Sequence, residues 1–227
     1  MTERTFKIFD QDLEQLKESL LLMGGLIESM LGEARDCVIH RDANLANQII
    51  ARDRQLNQWE KDVDELAIQI LALRQPAARD LRFVVAALKI STDLERVGDE
   101  IVNICERIFE IAELNSAIQS FDDLLLMLDL SGKLISRSLD SFVALDSQMA
   151  GHVLQDDQAV DDLHKKVIGE LLELMKLNSS LIVPAMKFIS ISKYIERIAD
   201  HATNVAEQVI FMVEGLDIRH SDVRATP

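Results

Sequence analysis

Leu94-Glu95-Arg96-Val97-Gly98-Asp99-Glu100-Ile101-Val102-Asn103 and Ile195-Glu196-Arg197-Ile198-Ala199-Asp200-His201-Ala202-Thr203-Asn204 are two copies of one pattern, E-R-[VI]-[GA]-D-x-x-x-N, set 101 residues apart. In the same register Ile90 falls on Ile191, Ser91 on Ser192 and Glu106 on Glu207. A shared helical core would concentrate such identities at Leu, Ile and Ala. They concentrate at polar positions, which marks the duplication of a site.

Working outward, apolar residues recur at three and four nearly everywhere, the period of amphipathic helices. Residues 12–40 carry Leu13, Leu16, Leu20, Met23, Ile27, Met30 and Leu31, with Gly24-Gly25 as a candidate bend. A second helix spans 43–73 and stops at Gln75-Pro76, because the residue before proline is pushed out of the α region. A third runs over 77–113. After a polar linker, 115–120, the pattern restarts with helices over 122–147, 151–177 and 181–215. Ser180 is the expected N-cap of the last, with Pro184 in its first turn. Residues 219–227 read as a frayed tail. The expected fold is therefore all-α: six long antiparallel helices in two tandem, similar three-helix bundles, over 1–115 and 116–227.

Composition agrees. Only 4% of residues are aromatic, with 8 Gly and 3 Pro, too few turn and strand formers for a sandwich or barrel. The two cysteines, Cys37 and Cys105, are far apart in sequence and form no CxxC, which excludes a disulfide scaffold or cysteine zinc site and fits a reducing compartment. They read as buried thiols rather than nucleophiles. With neither a signal-peptide pattern nor a membrane-length apolar run, the expected location is the cytoplasm. The net charge of −15 repels phosphate backbones and anionic lipid, so direct nucleic-acid binding is not expected.

Within each repeat, Glu and Asp four apart lie one above the other on a helix face. Leu81, Leu88, Glu95 and Val102 share one heptad line, and Ile182, Ile189, Glu196, Thr203 and Ile210 another. The larger stripe, Ile90, Leu94, Val97, Ile101, Ile104 and Ile108, faces the other way. Each of these faces thus starts apolar and becomes acidic midway, where carboxylates call for a partner or a metal. The second helices add Asp157 and Asp161, with Asp53 and Asn57 in the equivalent place, and Glu60 with Asp64. Converging carboxylates suit Mg, Ca or Mn, and also iron. The candidate metal ligands are Glu95, Asp99, Glu196, Asp200, Asp157, Asp161 and Asp53.

Other candidates carry less. Asp161-x-x-His164 resembles the acid-x-x-His element of di-iron bundles, which need a second copy. A surface histidine is the preferred reading, and a di-iron carboxylate enzyme or iron-binding protein the alternative. His201 follows Asp200 but has no counterpart in the first half, where Glu100 stands. No phosphate-binding, dinucleotide or nucleophile-elbow motif is present, so no catalysis is expected.

The chain resembles the PhoU family of bacterial phosphate-uptake regulators over nearly its whole length. The resemblance rests on Met23-Gly24-Gly25, Arg74-Gln75-Pro76, Asp80-Leu81-Arg82 and the two E-R-[VI]-[GA]-D copies. It implies two three-helix bundles and E/D-x-x-x-D metal motifs, with iron or zinc clusters. The carried-over ligands are Glu95, Asp99, Glu196 and Asp200, then Asp157 and Asp161, then Asp53. Asn57 replaces the acid expected opposite Asp161, which implies a differently built first cluster. The resemblance further implies a negative regulator linking a phosphate ABC transporter and its ATPase subunit to a sensor histidine kinase, often as a homodimer.

Overall fold

The computed structural model describes residues 3–114, 118 and 122–218. Its order is α1 (Glu3–His40), α2 (Ala43–Arg74), α3 (Ala78–Glu113), α4 (Asp122–Ala144), α5 (Ser147–Asp156), α6 (Gln158–Leu177), a 3₁₀ turn (Ser179–Leu181) and α7 (Ile182–Glu214). The expected linker, apart from Ile118, and the expected tail lie outside the described residues.

The helix over 151–177 starts earlier than expected, at Ser147, and is parted at Asp157 into α5 and α6. The parting is slight. Asp157 keeps helical angles (φ −56°, ψ −35°), but its carbonyl accepts from Val160 N at 2.9 Å, a tight i→i+3 bond, as well as from Asp161 N at 3.3 Å. The two pieces form one rod with a tightened turn, so the architecture is six rods in two sets of three.

Helix ends follow from side chains. Asp42 caps α2, accepting from Asn44 N at 2.9 Å and Leu45 N at 3.1 Å. Asp146 caps α5 in the same way, at 2.9 and 3.0 Å, and so ends α4 earlier than periodicity suggests. Ser180 is not the expected N-cap. Asn178 takes that role ahead of the 3₁₀ turn, accepting from the Ser180 N–H at 3.0 Å and hydroxyl at 2.8 Å. Gly24-Gly25 does not interrupt α1, which is continuous over 38 residues. Gly24 instead lets α4 approach, since a Cβ there would overlap Leu139.

The core runs through both halves. Ile90, Leu94, Val97, Ile101, Ile104 and Ile108 are all fully buried, as their stripe requires. α3 packs on α1 and α2, α7 packs on α4, α5 and α6, and the most extensive contact joins α3 to α7. Polar ties cross that seam in antiparallel order. Lys187 meets Glu110 at 2.5 Å and Arg197 meets Glu100 at 3.0 Å. Asp93 Oδ1 pairs with His201 Nδ1 at 2.9 Å and accepts from Asn204 Nδ2 at 3.0 Å. Arg82 Nε donates to the Met212 carbonyl at 3.2 Å. The seam sets the middles of α3 and α7, where the repeated motifs lie, side by side.

Candidate functional site

The first acidic cluster lies between α2 and α3. Asn57 Nδ2 donates to Asp53 Oδ2 at 2.8 Å, while Asp53 Oδ1 is buried and accepts no hydrogen bond. The helices close here because residue 98 is glycine. A Cβ at Gly98 would stand 2.5 Å from Leu56 Cδ1 and 3.3 Å from Asp53 Oδ1. Burial, then the charge of Asp99, raises the Asp53 carboxyl above its ordinary range, against the Asn57 hydrogen bond. Burial, then Asp99 and Glu60, likewise raises Glu95, with Arg96 pulling the other way. Arg96 stands 3.8 Å from both Glu95 and Asp99 and is largely exposed, so it screens the pair without locking it.

The second cluster lies between α6 and α7 and gathers Asp161, His164, Glu196 and Asp200. Lys193 holds both Glu196 oxygens, at 2.7 and 2.6 Å. Desolvation, then Glu196, raises the Asp200 carboxyl even though Asp200 stands at the open edge; Lys193 opposes this and Asp161 adds to it. Desolvation lowers His164 against the pull of Glu196 and Asp161, and its Nδ1 lies 3.1 Å from Ser192 Oγ. Asp157, 4% exposed, sits one turn before Asp161 at the α5–α6 joint.

Six of the seven acids predicted from sequence thus fall on the α2–α3 and α6–α7 pairs, and Asp157 lies at the joint just before α6. The residue sequence reasoning set aside is His164. It is half-buried and faces Glu196, so it is not a surface histidine. Laying α6 on α2 would have found it, because Asp53, Asn57 and Glu60 then fall on Asp157, Asp161 and His164. His201 belongs to the seam with Asp93.

Among the described residues, no three His, Cys, Asp or Glu side chains are grouped as they stand to hold a metal ion. The donor chemistry nevertheless suits cations. The first set is all oxygen, with one orphaned buried carboxylate atom, as hard ions prefer. The second adds an imidazole, as zinc and iron accept.

A duplicated all-helical protein with an acidic cluster in each half, and no described helix long and apolar enough to cross a membrane, is the class these features define. The PhoU domain model matches residues 20–108 and again 124–209, and the chain belongs to the PhoU family. It is 36% identical over 220 residues to a phosphate-specific transport system accessory protein PhoU homolog of Pseudomonas aeruginosa, covering 97% of this chain and 91% of that one. A homolog from Zymomonas mobilis is 37% identical over 211 residues, covering 93% and 89%. The crystal structure of PhoU from P. aeruginosa superposes with a TM-score of 0.88 at 36% identity, covering 92% of this chain and all of that one. That of the phosphate transport system regulatory protein PhoU from Streptococcus pneumoniae gives 0.86 at 27%, covering 92% and 98%.

Proposed function

We propose that this chain is a non-enzymatic accessory regulator of a phosphate-specific transport system. The observation that carries the reading is the near full-length match, in sequence and fold, to relatives named as such accessory proteins. In this reading the protein works in the cytoplasm, as a homodimer, between the ATPase subunit of a phosphate ABC transporter and a sensor histidine kinase. It reaches the membrane only through those partners and keeps the phosphate-starvation response off when phosphate is plentiful.

Deletion of the gene should switch on a phosphate-starvation reporter in phosphate-rich medium, and re-expression should silence it. A reporter that stays off in the clean deletion would overturn the reading.

The two clusters bind metal in this proposal, Asp53, Glu95 and Asp99 in one half and Asp157, Asp161, Glu196 and Asp200 in the other, with His164 beside them. Elemental analysis of protein purified without chelator should find stoichiometric iron, zinc or another divalent ion. A variant with Glu95, Asp99, Glu196 and Asp200 all changed to Ala should lose it. No metal in either protein would turn the clusters into a contact surface. The di-iron alternative gains one element, Asp161-x-x-His164 against Glu196, but Glu60 stands in the other half's histidine position. Oxygen consumption on adding ferrous iron would revive it.

A further inference from the structure

The two halves carry one surface arrangement with its charges exchanged. The capping residues Asp42 and Asp146, 104 residues apart, set the register of α1 with α4 and of α2 with the α5–α6 rod. In that register Ser29, Glu33 and Arg52 correspond to Lys133, Arg137 and Asp156. The first trio closes on itself. Arg52 pairs with Glu33 and donates to Ser29 Oγ at 3.3 Å, and that hydroxyl donates to Glu33 at 3.1 Å. In the second trio Arg137 pairs with Asp156 and Lys133 is left over. Among the described residues, neither Lys133 nor Ser136, one turn on, has an ion-pair or hydrogen-bond partner. The first trio is neutral as a set, whereas the second carries one net positive charge.

Lys133, Ser136 and Arg137 stand at i, i+3 and i+4 and so share one face of α4. That face walls a cleft of about 450 Å³ against the α5–α6 rod. The cleft falls within the roughly 300–1,000 Å³ of small-molecule sites. Its free polar groups are donors: an ammonium, a hydroxyl and the guanidinium N–H groups that Asp156 does not take. Beside them the wall is apolar, from Leu130, Leu134 and Ala159.

We propose that this cleft binds a small organic phosphate. Lys133, Ser136 and Arg137 hold the phosphoryl group, and the carbon body lies on Leu130, Leu134 and Ala159. A phosphoryl group offers three strong acceptor oxygens and close to two negative charges to these three donors. A carboxylate offers two oxygens and one charge. Inorganic phosphate meets the donors but leaves the apolar wall uncovered. The acidity of the whole chain does not forbid an anion here. Exposed charges beyond a Debye length, about 8 Å at physiological salt, are largely screened. Asp156, the acid in the wall, is already paired with Arg137.

The test uses full-length protein treated with a chelator, so that no metal at the acidic clusters holds phosphate. Phenyl phosphate is titrated by calorimetry, with inorganic phosphate, benzoate and phenol beside it. Phenyl phosphate should bind saturably and more tightly than the other three. Lys133→Ala should weaken it about tenfold, as loss of a charge-assisted hydrogen bond does. Lys133→Arg keeps the cation and should retain most of the affinity. Lys61→Ala removes an exposed lysine of α2 outside the cleft and should change nothing. Lys133 is exposed and unpaired, so its removal should leave the thermal midpoint in place. The absence of saturable binding to the wild type, or equal binding by Lys133→Ala, overturns the proposal. Benzoate binding as tightly as the ester would remove the role of the phosphoryl group, and inorganic phosphate doing so would remove that of the apolar wall; either overturns it. A loss in Lys61→Ala as large as in Lys133→Ala would reduce the binding to general charge and overturn it equally.

Discussion

Glu100 on α3 is 3% exposed at its side chain and meets Arg197 of α7 at 3.0 Å, and the twin of this ion pair is absent. In the register of the duplication, Glu100 corresponds to His201 and Arg197 to Arg96. His201 has turned to Asp93, which leaves Arg96 beside Glu95 and Asp99. Removing Arg197 strands a buried carboxylate. Because Arg197 is itself half-exposed, Arg197→Ala should cost about 1–3 kcal/mol, below the full loss for a wholly buried pair. Glu100→Gln keeps a hydrogen-bond acceptor and should cost about 1 kcal/mol. Urea midpoints read both, and an unmoved midpoint in Arg197→Ala would show the seam does not depend on this pair.

Asp53, Glu95 and Asp200 all have folded pKa values raised above ordinary ones. A raised carboxylate favours the folded state in acid, below the unfolded pKa. That contribution is lost as pH rises through the folded value. In metal-free protein at neutral pH, Glu95→Gln and Asp200→Asn should therefore leave the thermal midpoint unchanged or raise it, and the gain should vanish below about pH 4. A fall at neutral pH would contradict the account in which burial, then neighbouring like charge, raises these carboxyls. His164 runs the opposite way. Its lowered pKa gives stability that is present above the ordinary histidine value and lost as pH falls through the folded one. Its NMR titration midpoint should lie below the ordinary 6.5.

Glycine substitutions separate close approach from open space. Gly98→Ala drives a Cβ against Leu56 and should destabilise by about 1–3 kcal/mol through overpacking. Gly24→Ala, facing Leu139, should do likewise. Gly25 has nothing near it, so Gly25→Ala should stabilise α1 by roughly 0.5–1 kcal/mol. Equal midpoint shifts for Gly24→Ala and Gly25→Ala would refute the packing at α4.

Asp42 and Asp146 cap matching rods of the two halves. Asp42→Ala and Asp146→Ala should each cost about 1 kcal/mol, and the double variant about the sum. Chemical denaturation of the three proteins checks this, and a cost confined to one site would show that the caps are not equivalent.

The helices and the buried face of α3 were legible because periodicity encodes which side of a helix meets the core. The acids of the clusters were legible because i, i+4 spacing fixes a shared face. His164 was not, because its meaning emerges only when α6 is laid on α2. The different fates of Arg96 and Arg197 were hidden too, since both motif copies read alike and the divergence comes from residue 201. Asn178 won the cap from Ser180 because a 3₁₀ turn shifted the helix start.

The α3–α7 seam has a consequence for how the chain melts. Each half lends its central helix to a wall that the other half completes, so neither half keeps a closed interior by itself. Denaturation should accordingly be a single cooperative event in which both repeats dissolve together. Separately produced halves, each half-folded, should regain helix only on mixing.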